Sequence, residues 1–341
     1  MAIADRMTQV ESMGSADKFR RHGGRLADAM SAWPAAPRPW IDLSTGINPL
    51  PWQPPSGLRF DTAPLPDVAA LAALEASAAR HFGVAPNKVA AVPGSEVALR
   101  LLRTIGLPSP VVAISPSYGT HGDVADDIVD VAAMAGRSGG TLLLGNPNNP
   151  DGRTIQPVQL HDMALRQRDA GGWLVVDEAF ADATPAASIF PTEDAEAPVI
   201  VMRSFGKFFG LAGLRLGFVI APPLVVGRFR RMLGDWPVSA QAIAWGTAAY
   251  ADTQWIETTR RALAARAARL DKLLARHGLM AVGNSPLFRL IERPNAAALF
   301  ERLAGAGILT RPFATQVTWL RFGLPSDDRA FDRLDRALAD G

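Results

Sequence analysis

The sequence predicts an α/β fold: a mostly parallel seven-stranded sheet flanked by helices, with a smaller α+β domain at the C-terminus. Three observations carry this expectation. Seven short, nearly continuous apolar runs lie between Val89 and Ala221, most are bounded by glycine or proline, and helix-patterned segments fall between several of them. Runs that are apolar at every position belong to strands covered on both faces, the condition of a parallel sheet wound with right-handed crossovers. The chain has 341 residues, 48% of them hydrophobic, which suits one large core and one small one.

In chain order, residues 1–40 show little periodicity. They hold the cluster RRHGGR at 20–25 and a proline-rich stretch at 33–40, and read as an N-terminal arm. Over 67–82, Val68, Leu71, Leu74, Ala78 and Phe82 recur at helical spacing, and Gly83 follows as a stop. The expected strands are VAAV (89–92), VVAI (111–114), IVDVAA (128–133), TLLLG (141–145), WLVVD (173–177), VIVMR (199–203) and LGFVIA (216–221), with helices at 96–105 and 156–170. Together these form a large domain over 41–250. From Asp252, a segment with opposed apolar and arginine faces reads as one helix, capped by Asp252 or Thr253 and closed by Gly278, that links the two domains. Helices at 296–304 and 327–339, with strands near 288–291 and 318–322, complete the small domain over 251–341.

Composition narrows the function. Lysine plus arginine (35) nearly balance aspartate plus glutamate (33), and the basic residues are scattered, so neither nucleic acid nor an anionic membrane is the expected partner. The chain has no cysteine, which excludes disulfides, thiolate zinc sites and cysteine nucleophiles, and no metal site is expected. MAIADRMTQVESMG lacks the apolar core of a signal peptide, and no apolar run approaches the roughly 20 residues that span a bilayer. A soluble, cytoplasmic protein is the expectation.

Ligands of open α/β sheets bind at the carboxyl ends of the strands, so the residues after each run are the ones to inspect. After VAAV, Gly94 and Ser95 open a helix at Glu96, and the free backbone N–H groups of such a start can cradle a phosphate; an ordinary helix start looks the same. After VVAI come Tyr118 and His121, residues that either pack in the fold or stack on a flat ring. NPNNPDG projects Asn146, Asn148 and Asn149 from a rigid loop whose composition turn chemistry alone would explain. WLVVDEAF resembles the magnesium strand of P-loop nucleotidases, but the chain has no G-x-x-x-x-G-K-[ST] loop. The alternative is that Asp177, at the end of a central strand, faces a buried cation belonging to a cofactor, and Glu178 is then structural. SFGKFFGLAGLRLGF places Lys207 among aromatics and glycines, where an ammonium either snorkels to water or is pushed by burial toward the nucleophilic amine.

A phosphate cradle, an aromatic ring, an asparagine amide, an aspartate, a lysine, a serine and an arginine, each from a different strand end, match a flat phosphorylated pyridine aldehyde. From about His22 onward the sequence resembles the fold-type I pyridoxal-phosphate enzymes, in the branch that holds histidinol-phosphate aminotransferase and threonine-phosphate decarboxylase. That resemblance implies pyridoxal 5'-phosphate joined to Lys207 as a Schiff base, with its phosphate on Gly94, Ser95, Glu96, Ser204 and Arg215. It implies Tyr118 stacked on the ring, Asn149 at the ring hydroxyl, Asp177 at the ring nitrogen, and Phe180 of DEAF beside the cofactor. It assigns Arg321 of TWLRFG to the substrate carboxylate and implies a homodimer. In catalytic terms Lys207 is nucleophile and proton carrier, Asp177 sustains the electron demand of the ring, and Tyr118 is its platform.

Within the branch, the resemblance to the decarboxylases lies in HGG at His22 and Gly23, beside the substrate phosphate, in STGINP, and in Phe180, where many aminotransferases have tyrosine; it implies Asn48 and Asn149 as further substrate contacts. The implied reaction is decarboxylation of L-threonine O-3-phosphate to (R)-1-amino-2-propanol O-2-phosphate, the linker of the cobalamin side chain. An aminotransferase acting on histidinol phosphate or a related amino acid is the alternative, and a non-catalytic pyridoxal-phosphate-binding regulator the second. Three positions depart from the pattern: Leu65 in APLPD stands where a tyrosine is common, Gly206 replaces a hydroxyl residue before the lysine, and Arg25 replaces the asparagine after HGG.

Overall fold

The computed structural model describes residues 17–191 and 197–339; the opening stretch MAIADRMTQVESMG lies outside them. The chain divides into two compact units. One comprises the described parts of Met1–Gly46, Arg266–Val282 and Phe288–Gly341; the other comprises Ile47–Ala265 and Gly283–Leu287. These boundaries differ from the division at 40 and 250, because the N-terminal segment groups with the C-terminal residues and the long helix Thr253–Arg276 contributes to both units.

In the first unit, β1 (Ile41–Asp42) directly follows the segment that the sequence presents as an arm, and it pairs in parallel with a C-terminal strand at Ile308–Leu309. The reason is aromatic. Phe19 lies 5.4 Å from Trp33 and 5.8 Å from Phe300, and Trp33 meets Phe300 edge-on, so residues with no helical or strand period are held by ring packing.

The second unit carries the seven-stranded sheet: β2 (Val89–Val92), β3 (Val111–Ser115), β4 (Asp127–Asp130), β5 (Thr141–Gly145), β6 (Trp173–Asp177), β7 (Val199–Ser204) and β8 (Gly217–Ile220), in the order β2-β8-β7-β6-β5-β3-β4. Pairings among β3 to β7 are parallel, and β8 runs antiparallel to both β7 and β2. All seven expected strands are present. The third of them, β4, stops at Asp130, whose side chain accepts a hydrogen bond from Ala132 N and turns 131–136 into a 3-10 helix. The expected helix at 67–82 forms as Val68–Phe82, with Asp67 accepting from Ala69 N at its start and Gly83 in the left-handed conformation at its end. Two further helices, Pro223–Leu233 and Ala240–Ala251, lie outside the expected elements; the first buries Val225, Val226 and Phe229 along one face. The second, AQAIAWGTAAYA, is nearly all small or apolar, and a Cβ on its Gly246 would lie 2.7 Å from Leu74.

The remainder of the first unit is a four-stranded antiparallel sheet of β9 (Ala281–Val282), β10 (Phe288–Glu292), β12 (Arg311–Pro312) and β13 (Trp319–Gly323), in the order β12-β13-β10-β9, with β11 being Ile308–Leu309. Helices Ala296–Gly305 and Asp328–Ala339 complete it. Among the described residues, no helix is long and apolar enough to cross a membrane, and no cluster of three or more histidine, aspartate or glutamate residues suits a metal ion.

Candidate active site

The register of the large sheet aligns its strand ends: Gly145 faces Asp177, and Asp177 faces Met202 two residues before Ser204. Side chains that follow β5, β6 and β7 therefore emerge at one edge. Asp177, 7% exposed, is held from two sides. Its Oδ1 accepts from Ala179 N at 3.1 Å, and its Oδ2 lies 3.0 Å from His121 Nε2. His121 is itself buried and its Nδ1 has no hydrogen-bond partner, so the ring is fixed chiefly through the aspartate. The sequence left His121 between packing and stacking; the structure places it against Asp177 and edge-on to Tyr118, with ring centroids 6.0 Å apart.

Lys207 lies on the short helix Phe205–Phe208, and the composition of that stretch now has a local cause. Phe205, Phe208 and Phe209 are fully buried: Phe205 stacks on Phe209 at 4.4 Å, and Phe209 stacks on Trp255 at 5.5 Å. At helical spacing these three rings share one face and anchor the turn, while Lys207 between them is half-buried, with its Nζ 5.9 Å from the centroid of Phe180. Asn48 completes the clamp. Its N–H donates to Lys207 O at 2.9 Å, its Nδ2 to Phe208 O at 2.9 Å, and its Oδ1 accepts from Leu50 N. The amide expected to touch substrate is thus occupied in holding the lysine turn.

Gly94 has φ +89°, a backbone conformation that essentially only glycine adopts, and a Cβ there would lie 2.6 Å from Arg215 Nη2. Arg215 is the one described non-glycine residue with positive φ (55°), and this turn brings its guanidinium over Gly94. Gly217 lets β8 pass the same turn, since its Cβ would meet Ser95 N at 2.6 Å. The backbone of Gly94 and Ser95 thus converges with a cationic fork. Glu96 enters differently from expectation. Its carboxylate accepts from Thr120 Oγ1 at 3.0 and 3.1 Å and from Arg100 Nε at 2.8 Å, which leaves its backbone N–H for an anion.

In the loop after β5, Asn146 donates to Ile155 O and Ala187 O, and Asn148 donates to Pro116 O and Asp151 Oδ1. These two amides build the loop. Gly206 also has a reason: a Cβ there would lie 2.5 Å from Ala212 Cα, so the hydroxyl residue common at that position has no room. Glu178, which sequence reasoning called structural, is fully buried beside Arg203 Nη2 at 2.8 Å, and Arg203 Nη1 reaches Asp182 at 2.7 Å. Burial pushes the Glu178 carboxyl above its ordinary range despite Arg203. Burial also works to raise Asp182, but His81, Arg203 and Arg260 outweigh it and hold that carboxyl below the usual range.

In the other unit, Arg321 on β13 donates from Nη2 to Ser44 O at 2.9 Å. Ser44 Oγ accepts from Gly24 N at 2.8 Å, and a Cβ on Gly23 would run into the Ser44 carbonyl. Arg311 Nη2 donates to Arg21 O at 2.8 Å, directly before His22. The HGG turn and Arg321 therefore meet on the same serine, a convergence that no spacing in the sequence announces.

The chain belongs to the class I and II aminotransferase family, whose model matches residues 100–336. Among curated relatives, it is 40% identical over 330 residues to threonine-phosphate decarboxylase of Sinorhizobium sp, covering 93% of this chain and 97% of that protein. It is 38% identical to threonine-phosphate decarboxylase of Pseudomonas aeruginosa, covering 93% and 96%. A histidinol-phosphate aminotransferase of Symbiobacterium thermophilum matches at 31% over 73% of this chain and 75% of that protein. The structure of histidinol-phosphate aminotransferase from Sinorhizobium meliloti in complex with pyridoxal-5'-phosphate has a similar fold, with TM-score 0.71, 23% identity and coverage of 82% and 83%.

The residues present fit pyridoxal 5'-phosphate. A glycine turn that a Cβ would fill faces the Arg215 guanidinium, a buried carboxylate stands at a strand end, and a half-buried lysine lies on the turn after the neighbouring strand.

Proposed function

We propose that the chain decarboxylates L-threonine O-3-phosphate to (R)-1-amino-2-propanol O-2-phosphate, the linker of the cobalamin side chain, with pyridoxal 5'-phosphate as cofactor. The observation that carries the reading is the convergence of the HGG turn and Arg321 on Ser44, in a chain whose matches to two threonine-phosphate decarboxylases run nearly full length. A phosphate-binding turn and a carboxylate-binding arginine on one short scaffold suit a substrate that carries both groups. When bound, the cofactor supplies a ring that accepts the electron pair released as carbon dioxide leaves.

This chain's residues do the rest. Gly94, Ser95, Glu96, Ser204 and Arg215 hold the cofactor phosphate, by backbone N–H groups and a guanidinium that no pH change within the stable range neutralises. The Asp177 carboxylate keeps a proton on the ring nitrogen, and His121, bonded to its Oδ2, limits how that carboxylate turns. Asn149 orients the ring hydroxyl, and Phe180 and Tyr118 bound the ring. Arg321 presents its planar fork to the substrate carboxylate and sets the angle of the bond to be broken. His22 and Gly23 take the substrate phosphate, and Lys207 Nζ carries a proton to the α-carbon after carbon dioxide has left.

We read the chain as a cytoplasmic homodimer. Leu65, 64% exposed here, then belongs to the subunit interface. Size-exclusion chromatography with light scattering should give twice the chain mass; a monomer at working concentration would contradict it. The test of function is incubation of the cofactor-loaded protein with threonine phosphate. Release of carbon dioxide with formation of aminopropanol phosphate, independent of added 2-oxoglutarate, is expected. A keto product that requires 2-oxoglutarate, with no carbon dioxide, would make the chain an aminotransferase.

A further inference from the structure

We propose that Glu96 and Thr120 are positioning residues that fix the ring of Tyr118 as a platform, so that a single residue, Glu96, ties the phosphate cradle to the face on which the cofactor ring lies. The inference rests on the reading of this site as a pyridoxal-phosphate site. Glu96 follows Gly94 and Ser95 directly, and both of its carboxylate oxygens accept from Thr120 Oγ1, at 3.0 and 3.1 Å. Thr120, fully buried, lies two residues after Tyr118, and the Tyr118 hydroxyl is within hydrogen-bonding reach of both Thr120 and Glu96. Glu96 is in turn held by Arg100 Nε at 2.8 Å, and Arg100 also reaches Asp123 at 3.5 Å. On the other side His121 meets the Tyr118 ring edge-on while bonded to Asp177. The phenol thus has Glu96 from the helix Ser95–Leu101, Asp177 from the end of β6, and His121 and Thr120 from the helix Gly119–Val124, which Tyr118 directly precedes, around it.

An aromatic side chain has two free torsions, and fastening the hydroxyl at one end with an edge contact at the other leaves it one orientation. Burial first, and the charge of Glu96 second, push the Tyr118 phenol up to about 12. It therefore serves as a surface and does not donate or accept protons in the working range. A phenylalanine would offer the same face without the tether.

The chain has two tyrosines, Tyr118 and Tyr250, which makes the test spectroscopic. Alkaline titration of the apoprotein by tyrosinate absorbance, with far-ultraviolet dichroism to verify folding and Tyr118→Phe to supply the Tyr250 baseline, reads Tyr118 alone. Glu96→Gln is expected to lower its midpoint by about one pH unit, since one neighbouring negative charge is gone. In the loaded protein, Glu96→Gln and Thr120→Val should each lose induced dichroism of bound pyridoxal 5'-phosphate while still binding it. An unchanged Tyr118 midpoint in Glu96→Gln, or induced dichroism equal to the parent in both variants, overturns the inference. Failure of the wild-type protein to bind pyridoxal 5'-phosphate would instead reject the cofactor reading, and the apoprotein titration would still decide whether Glu96 tethers Tyr118.

Discussion

Replacing Gly94 by alanine separates the cradle from the rest of the fold. The substitution acts in two ways. At φ +89° and ψ 146°, an L side chain is strained, which costs about 1–3 kcal/mol of folding stability with or without ligand. The new Cβ would also lie 2.6 Å from Arg215 Nη2 and drive the guanidinium away from the turn. A charge-assisted hydrogen bond is worth about 1.5–3 kcal/mol, and at roughly 1.4 kcal/mol per decade its loss weakens cofactor binding about 10- to 100-fold. Titration of apoprotein with pyridoxal 5'-phosphate, followed by tryptophan fluorescence, measures the affinity, and thermal melting of the apoprotein measures the strain. Gly213→Ala is the control, because a Cβ there has nothing within 4 Å. Cofactor affinity equal to the parent in a folded Gly94→Ala protein would refute the placement of the phosphate.

Other perturbations follow from the same geometry. Gly206→Ser, which restores the hydroxyl common in relatives, should lower the melting temperature and not tighten cofactor binding, because Ala212 occupies the space; tighter binding would show that the turn yields. Arg203→Met removes the cation between buried Glu178 and Asp182 and should cost about 3–5 kcal/mol by urea denaturation; a loss below about 1 kcal/mol would mean the network relaxes. Because Asp182 is held below its ordinary range, it stabilises the fold fully above the unfolded aspartate value of about 3.9, and that contribution disappears as pH falls through the lowered folded value. The stability gap between wild type and Asp182→Asn should therefore narrow on acidification below about pH 4, and a constant gap would contradict the shift. Arg321→Lys should raise KM for threonine phosphate about tenfold or more, since a point charge replaces a planar fork; an unchanged KM would remove the carboxylate from Arg321.

The sheet was legible because its signal is local. Apart from the exposed edge strand β4, each strand is a run of four to six residues buried along nearly all of its length, and burial on both faces writes itself into composition. The helix Ala240–Ala251 was not: it buries Ala242, Ile243, Gly246, Ala249 and Tyr250 on one face, but its other face is also mostly small and apolar, so polarity sets no period. The N-terminal segment read as an arm for a related reason: Phe19, Trp33 and Phe300 are held by ring contacts between residues hundreds of positions apart in sequence. At the site, identities such as Lys207, Asp177 and Arg215 could be proposed from strand ends and resemblance. What each side chain does with its neighbours could not. Asn48 spends its amide on the backbone of the lysine turn, Glu96 spends its carboxylate on Thr120, and His121 stands on Asp177, all through contacts that depend on register and on turns far apart in the chain.

The account depends on Lys207 as the residue that bears the cofactor. The chain has four lysines, Lys18, Lys88, Lys207 and Lys272, so mapping is unambiguous. Borohydride reduction of the protein loaded with pyridoxal 5'-phosphate, digestion and mass spectrometry should place the phosphopyridoxyl adduct on the peptide containing Lys207 alone. An adduct on any of the other three with Lys207 unmodified, or no stoichiometric adduct, would contradict it.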